Sequence, residues 1–337
     1  MFKINKLAYS ALALVSAAAL SGCAADMGAQ AATGAPEQPH IVVDSVPAAE
    51  EGGLYVAQAS GFFQQQGLNV TINPITGGEA GIPDLQSGKA QLVGGNYVSF
   101  VLAQMAGKFE GKPASFSVVA PGSQILPGTE ALYVMPHSQF KTVAELAADH
   151  ATIGLNTPHD VGQVLLGSLL AQYGYSIGDI QQVIPPSGFT GLMTMLKDGT
   201  VDAAWLPQPF ATIAQQKYGA TELADFDQGA LQEFPFTGYI GTSGWVKSHP
   251  NTVAAFNRAL EEGQQLADSD TTALEKAFEK YVALPPIVAA TMPFDTYPLS
   301  MSNAEIQRVS NAMYEFGLEP GRKTAFPLTG MIDAASS

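Results

Sequence analysis

The sequence predicts an α/β protein of two doubly wound α/β lobes joined by a two-segment hinge. Three observations carry this expectation. Short β-branched runs alternate with amphipathic helical stretches; each run ends in a loop of Gly, Pro, Asn or Ser; and the same order restarts near Glu130. The chain has 337 residues and is 46% hydrophobic, enough for a large core and more than one lobe usually holds.

The first unit opens with Ile41 to Val43, a run of the kind that a doubly covered sheet buries, broken at Asp44, Ser45 and Pro47. A single helix is expected next, with Leu54, Tyr55, Ala59, Phe62 and Phe63 on one stripe and Gly67 as its stop. Val70 to Ile72 is a strand, Glu79 to Ser87 a helix, and Ala90 to Val93 a strand. Gly94 to Tyr97 reads as a loop before a helix over Val98 to Met105, and Phe116 to Ala120 is a further strand.

From the strand Glu130 to Met135 the pattern repeats. Thr142 and Glu145 form a T-x-x-E capping box, Ala151 to Leu155 is a strand, and Asn156 to Asp160 lead into a long helix. Strands at Gln182 to Ile184, Val201 to Trp205 and Thr221 to Ala224 enclose helices at Leu192 to Leu196 and Ala211 to Lys217. Thr237 to Val246 is expected to cross back as one strand. Pro250 then opens a helix that buries Val253, Phe256, Leu260 and Gly263, and Ala273 to Val282 forms another. A second capping box, Ser302 and Glu305, starts a helix with Ile306, Val309, Met313 and Phe316 on one stripe. The expected division is residues 39–129 with 236–325 as lobe 1, 130–235 as lobe 2, hinge segments at Glu130 to Met135 and Thr237 to Val246, and a frayed tail over 326–337.

The first 22 residues read as a signal peptide, with Lys3 and Lys6 ahead of an apolar run from Leu7 to Leu20 too short for a comfortable membrane span. Leu20-Ser21-Gly22-Cys23 resembles the bacterial lipobox, which implies cleavage and lipidation at Cys23 and an extracytoplasmic protein anchored to the cell membrane. Residues 23–38 have the Ala, Gly, Gln and Pro content of a flexible tether. Cys23 is the one cysteine, so an internal disulfide and a thiolate metal site are excluded. The formal charge of −15 becomes about −17 without Lys3 and Lys6, which disfavours nucleic acid and anionic lipid as partners.

GFFQQQGLNV at Gly61 to Val70 resembles the "gyFkkeGLdV" signature of solute-binding proteins for alkanesulfonates, taurine, nitrate and the thiamine pyrimidine. LQSGKAQLVGG, FKTVAELA and LKDGTVDAAWLPQPF resemble three further segments of that family, in order, between about Ile41 and Pro320. The resemblance implies a type II periplasmic-binding-protein fold, a small-molecule ligand, an ABC permease and ATPase as partners, and a monomer without a cofactor. Two departures blur the ligand: Gln91-Leu92-Val93 replaces the family's "DIG", and Gln208 stands where a Glu usually precedes Pro-Phe.

Catalytic signatures are missing. No G-x-S-x-G, H-E-x-x-H or G-x-G-x-x-G occurs, and His40, His137, His150, His159 and His249 share no ligand spacing, so neither an enzyme nor a metal site is expected. In an open α/β sheet the ligand sits beyond the carboxyl ends of the strands. The candidate site is therefore Ser45, Glu50, Gly78, Glu79, Asn96 and Tyr97 from the first lobe, with Asn156, Thr157, His159, Asp160, Ser187, Trp205 and Gln208 from the second. Asn156, Thr157 and Asp160 could equally cap a helix, Tyr97 and Trp205 could be core aromatics, and Glu50 with Glu51 could be a solvated pair. Glu79 and Asp160 stand at helix starts where an anion would bind, and no Arg or Lys lies in these loops. A neutral or cationic nitrogen-bearing solute, such as an aminopyrimidine stacked on Tyr97 or Trp205, is expected. Two alternatives remain: a pyrimidine-synthesis-type enzyme on the same fold, and a ligand sensor reporting to a membrane kinase.

Overall fold

The computed structural model describes residues 34–107 and 116–332; Cys23, its leader and much of the tether lie outside them. In chain order, the first half contains β1 (His40–Ser45), a 3-10 turn (Ala49–Glu51), α1 (Gly52–Ser60), α2 (Phe62–Gln65), β2 (Asn69–Pro74), α3 (Gly78–Ser87), β3 (Leu92–Asn96), α4 (Tyr97–Met105) and β4 (Phe116–Pro121). Then come β5 (Glu130–Val134), α5 (Val143–Ala148), β6 (Thr152–Gly154), α6 (Val161–Ala171), β7 (Gln181–Val183), α7 (Gly188–Lys197), β8 (Ala203–Pro207), α8 (Phe210–Tyr218) and β9 (Thr221–Asp225). The chain closes with β10 (Thr237–Thr242), α9 (Ser243–Ser248), α10 (Pro250–Ser269), α11 (Thr271–Tyr281), α12 (Pro286–Ala289) and α13 (Asn303–Glu315).

Two five-stranded mixed sheets define two lobes, ordered β2-β1-β3-β10-β4 and β7-β6-β8-β5-β9. The orders are equivalent. In each sheet the antiparallel strand, β10 or β5, is the first strand after the chain has crossed from the other lobe. The crossings are therefore the connectors 122–129 and 226–236, just ahead of the hinge segments expected, because Glu130–Val134 and Thr237–Thr242 are fully engaged in sheet hydrogen bonding. The largest apolar cluster runs through the second lobe and into Val93, Tyr97, Phe100 and Phe116 of the first, so the lobes are pressed together.

Several local expectations change. Gly61 adopts φ 74°, a left-handed conformation that glycine enters without steric cost, and it splits the first helical stretch into α1 and α2. Gly94 and Gly95 belong to β3, because small residues let strand and helix backbones approach: a Cβ on Gly95 would lie 2.7 Å from the Cα of Gly78. Thr242 ends β10 by accepting from the Trp245 amide, so 243–248 is a capped helix where strand had been expected. Leu328 and Met331 are buried, and the Val118 amide donates to the Met331 carbonyl at 2.7 Å, so residues 327–332 are held in place of fraying. Both capping boxes form as the spacing predicts, at Thr142 and at Ser302.

Helix α10 buries Val253, Phe256, Leu260 and Gly263 and lies across α1. The two helices touch backbone to backbone: a Cβ on Gly263 would sit 2.4 Å from the Gly53 carbonyl oxygen. That contact fixes the position of the turn 49–51, immediately ahead of α1.

Candidate functional site

The lobe junction contains two polar clusters. The first is a box of buried carboxyls. Glu50 and Glu51 come from the turn after β1, Glu130 opens β5, and Asp295 lies in the segment after α12; these residues are 7%, 0%, 1% and 5% exposed. Glu50 and Glu51 are thus not the solvated pair that their sequence suggested, because the turn that holds them is pinned between Gln208, whose carbonyl accepts from the Ala49 amide, and Tyr297, whose hydroxyl donates to the Ala49 carbonyl.

Burial is the main force on all four. It raises the Glu50 pKa well above the usual range, with Asp295 and Glu51 adding repulsion. It pushes Glu51 up to about 8, although the Tyr239 hydroxyl donates to Glu51 Oε2 at 2.6 Å and Ser45 also draws the value down. Glu130 rises through burial and the proximity of Glu50 and Asp295, against the stabilising donation of Trp205 Nε1. Asp295 is pushed up to about 7, with Thr129 opposing. Among the described residues no lysine, arginine or histidine acts on any of the four. Burial without a compensating positive charge favours the protonated form of a carboxyl.

The second cluster lies at the mouth of the junction. Ser99 of α4 donates to Asp160 Oδ2 at 2.7 Å, and Thr157 donates to Glu79 Oε1 at 3.3 Å, so both bonds cross between the lobes. Asp160 also caps α6 by accepting from the Val161 amide at 2.7 Å. Burial first, and Glu79 second, push its pKa up to about 7. A cavity of about 400 Å³ beside this cluster is lined by Glu79, Ser99, Thr157 and His159 with the apolar Ile82 and Leu102. A second of about 240 Å³ joins Thr76, Asn156, Pro185 and Gly188.

The expected site residues divide between these clusters. Glu50, Ser45, Tyr97 and Trp205 lie at the carboxyl box, while Gly78, Glu79, Asn156, Thr157, His159 and Asp160 gather at the mouth. Asn96 caps α4 through the Ser99 amide. Gln208 is committed elsewhere: its side chain donates to the Gly128 carbonyl and accepts from the Thr212 amide and hydroxyl, which ties the start of α8 to the crossing 122–129. Trp205 is inside β8, edge-on to Phe189 with centroids 5.2 Å apart, and 2% exposed, which makes it a core aromatic with one polar contact, to Glu130. Ser187 is exposed and makes no capping bond. Sequence reasoning missed Glu51, Glu130, Asp295 and Tyr239. Only Glu130 left a signal, a carboxylate heading the otherwise apolar run Ala131 to Val134.

A family model described as NMT1/THI5 like matches residues 49–271. The chain belongs to this family. This NMT1/THI5-like chain also aligns with YtlA of Bacillus subtilis (strain 168), a candidate binding protein by name, at 24% identity over 219 residues, which is 64% of this chain and 62% of YtlA. The chain thus spans about three fifths of that relative's length. Among solved structures, the alkanesulfonate-binding protein SsuA from Xanthomonas axonopodis pv. citri, bound to MOPS, superposes with a TM-score of 0.71 at 19% identity, covering 86% of this chain and 96% of SsuA. The periplasmic nitrate-binding protein NrtA from Synechocystis PCC 6803 gives 0.72 at 14% identity over 86% and 84%. The aliphatic sulphonate binding protein SsuA from Escherichia coli gives 0.67 at 19% over 85% and 95%. These likenesses establish the periplasmic-binding-protein fold for this NMT1/THI5-like chain. Among the described residues no helix is long and apolar enough to cross a membrane.

Proposed function

We propose that this NMT1/THI5-like protein is an extracytoplasmic solute receptor of an ABC importer, which closes its lobes over one small solute and delivers it to a membrane permease. The fold, the family and the two hinge connectors support that reading, since closure of two lobes around a ligand needs only rotation about such connectors. The observation that carries the ligand class is the carboxyl box without a cation. An anion placed about 5–6 Å from one ionised carboxylate meets about 3 kcal/mol of repulsion at an effective dielectric near 20; an anion is tolerated only while the buried acids stay protonated, whereas a cation supplies the charge they lack. A neutral or cationic nitrogen-bearing solute therefore fits better than the sulfonates and nitrate for which the structural neighbours are named.

A thermal-shift screen of the full-length chain tests this. Aminopyrimidines and other nitrogen-bearing solutes are expected to raise the melting temperature, because a ligand that binds only the folded state adds about 2.7 kcal/mol at a hundred times its Kd. Stabilisation by taurine, an alkanesulfonate or nitrate, with no response to nitrogen-bearing solutes, contradicts the ligand class. We propose further that Cys23 carries the lipid anchor. Cys23→Ala is expected to move the protein from the membrane fraction to the soluble one; continued sedimentation with membranes refutes the anchor.

A further inference from the structure

The carboxyl box has hydrogen-bonding capacity that the protein leaves unused. Glu50 Oε2 and the hydroxyl of Tyr97 make no hydrogen bond, and Glu51 Oε1 and Asp295 Oδ1 make none of normal geometry, although the hydroxyls of Ser45 and Thr129 lie near those two carboxyls. All four residues are more than nine-tenths buried. Tyr97 is an observation independent of the acids: a phenol oxygen enclosed at the head of α4, within electrostatic reach of Glu51, with nothing to bond. Buried polar groups in native proteins almost always have partners, so several orphans in one neighbourhood signal a partner that arrives from outside.

The chemistry of that partner follows from the surroundings. Glu50 feels Asp295 and Glu51; Glu130 feels Glu50, Asp295 and Asp225; Asp268 stands one shell further out, beside Tyr297. The remaining groups facing the box are the hydroxyls of Ser45, Tyr55, Thr129, Tyr239 and Tyr297 and the Trp205 N–H, and none of them is cationic. Unused acceptors require N–H donors, and clustered carboxyls require positive charge. A bare metal ion is a poor occupant, since among the described residues no three His, Cys, Asp or Glu side chains are grouped to hold one. The box is also split between the lobes: Glu50 and Glu51 follow a strand of one sheet, and Glu130 begins a strand of the other. The box therefore takes residues from both lobes.

The geometry points to a small organic cation with two or more N–H donors, an amine or amidine, as the solute enclosed by Glu50, Glu51, Glu130, Asp295 and the Tyr97 hydroxyl, an inference that rests on the receptor reading above. Carboxyls held protonated by burial ionise when they meet such a cation, and each proton leaves to solvent. Binding is therefore coupled to proton release, and the affinity rises with pH through neutrality.

Calorimetric titration of the full-length chain with 1,4-diaminobutane, butylguanidine and 4-amino-2-methylpyrimidine, alongside taurine and nitrate, tests this, with proton release followed potentiometrically in unbuffered potassium chloride. At least one of the three nitrogen bases is expected to bind as its cation and release protons. Glu130→Gln and Asp295→Asn should weaken that binding about tenfold or more, yet raise the melting temperature of the ligand-free protein at alkaline pH, because each removes an uncompensated buried acid. A merely structural role would lower both affinity and melting temperature, and that result overturns the proposal. If either variant fails to fold, proton release by the unaltered protein decides the matter: cation binding without it overturns the proposal. Binding of taurine or nitrate with no response to the bases overturns the box and leaves the receptor standing, whereas silence toward both classes overturns the box and counts against the receptor as well.

Discussion

The ligand-free protein is expected to lose stability steadily as pH rises from about 4 to about 8. Glu51, Asp295 and Asp160 have folded-state pKa values pushed up to about 8, 7 and 7, and Glu50 and Glu130 are displaced in the same direction. In an unfolded chain these carboxyls lose their protons near pH 4. Below that pH both states are protonated and the full stability is present. Between the unfolded and folded values the unfolded state sheds protons that the folded state keeps, so each rise in pH favours unfolding until the folded pKa is passed. One such group is worth about 1.4 kcal/mol per pH unit. A single box carboxyl therefore removes about 3 kcal/mol between pH 5 and 7, or about 6–12 °C in melting temperature at the scale of medium-sized domains. The groups shifted the other way, Glu37, Glu145, Asp179 and Glu305, are nearly or wholly exposed and titrate below this window. Differential scanning calorimetry across this range at constant ionic strength checks the slope, and Glu51→Gln should flatten it. A melting temperature that is level or rising from pH 5 to 8 rules the buried-acid account out.

The second large effect is mechanical. Gly263→Ala is expected to destabilise the protein by about 1–3 kcal/mol, even though alanine favours an isolated helix over glycine by about 1 kcal/mol. The new methyl would lie 2.4 Å from the Gly53 carbonyl oxygen and 2.6 Å from Ala57 Cβ. Neither is the end of a flexible side chain that could swing away, so α1 itself must move off α10. The turn bearing Glu50 and Glu51 is joined directly to α1, and solute affinity should fall with stability. Gly244→Ala is the matched control, since a Cβ there meets nothing within 4 Å; its melting point should stay level or rise. Equal melting points for Gly263→Ala and the unaltered chain would show that the helix contact is softer than its geometry.

The fold was legible because its signals are local and repeated. Thr142 with Glu145, and Ser302 with Glu305, announce helix starts through side-chain bonds spanning three residues. Val253, Phe256 and Leu260 mark a buried face by spacing alone. Where the reading slipped, a tertiary contact had overridden local preference. Thr242 turned the expected strand Thr237 to Val246 into a helix after six residues, and the site of Gly94 and Gly95 in β3 followed from the backbone of α3 on the other side.

The candidate site was only half legible. Loops after strands pointed to the junction, which brought Glu50, Glu79, Tyr97 and Asp160 into view. Burial of an acid, by contrast, leaves no mark in the chain when its neighbours are distant: Glu51 meets Tyr239 across 188 positions, and Glu130 feels Glu50 and Asp295 from two other segments. Gln208 shows the converse, a polar residue at the right loop whose amide is consumed in holding Gly128 and Thr212.

By itself, then, the sequence determined two α/β lobes, most of their order of strands and helices, and a strongly acidic chain, since these depend on periodicity, capping and charge, which are sums over near neighbours. Which carboxyls lose their water was decided only when the two sheets came together. Desolvation depends on everything within several ångströms in space, and most of that comes from far along the chain.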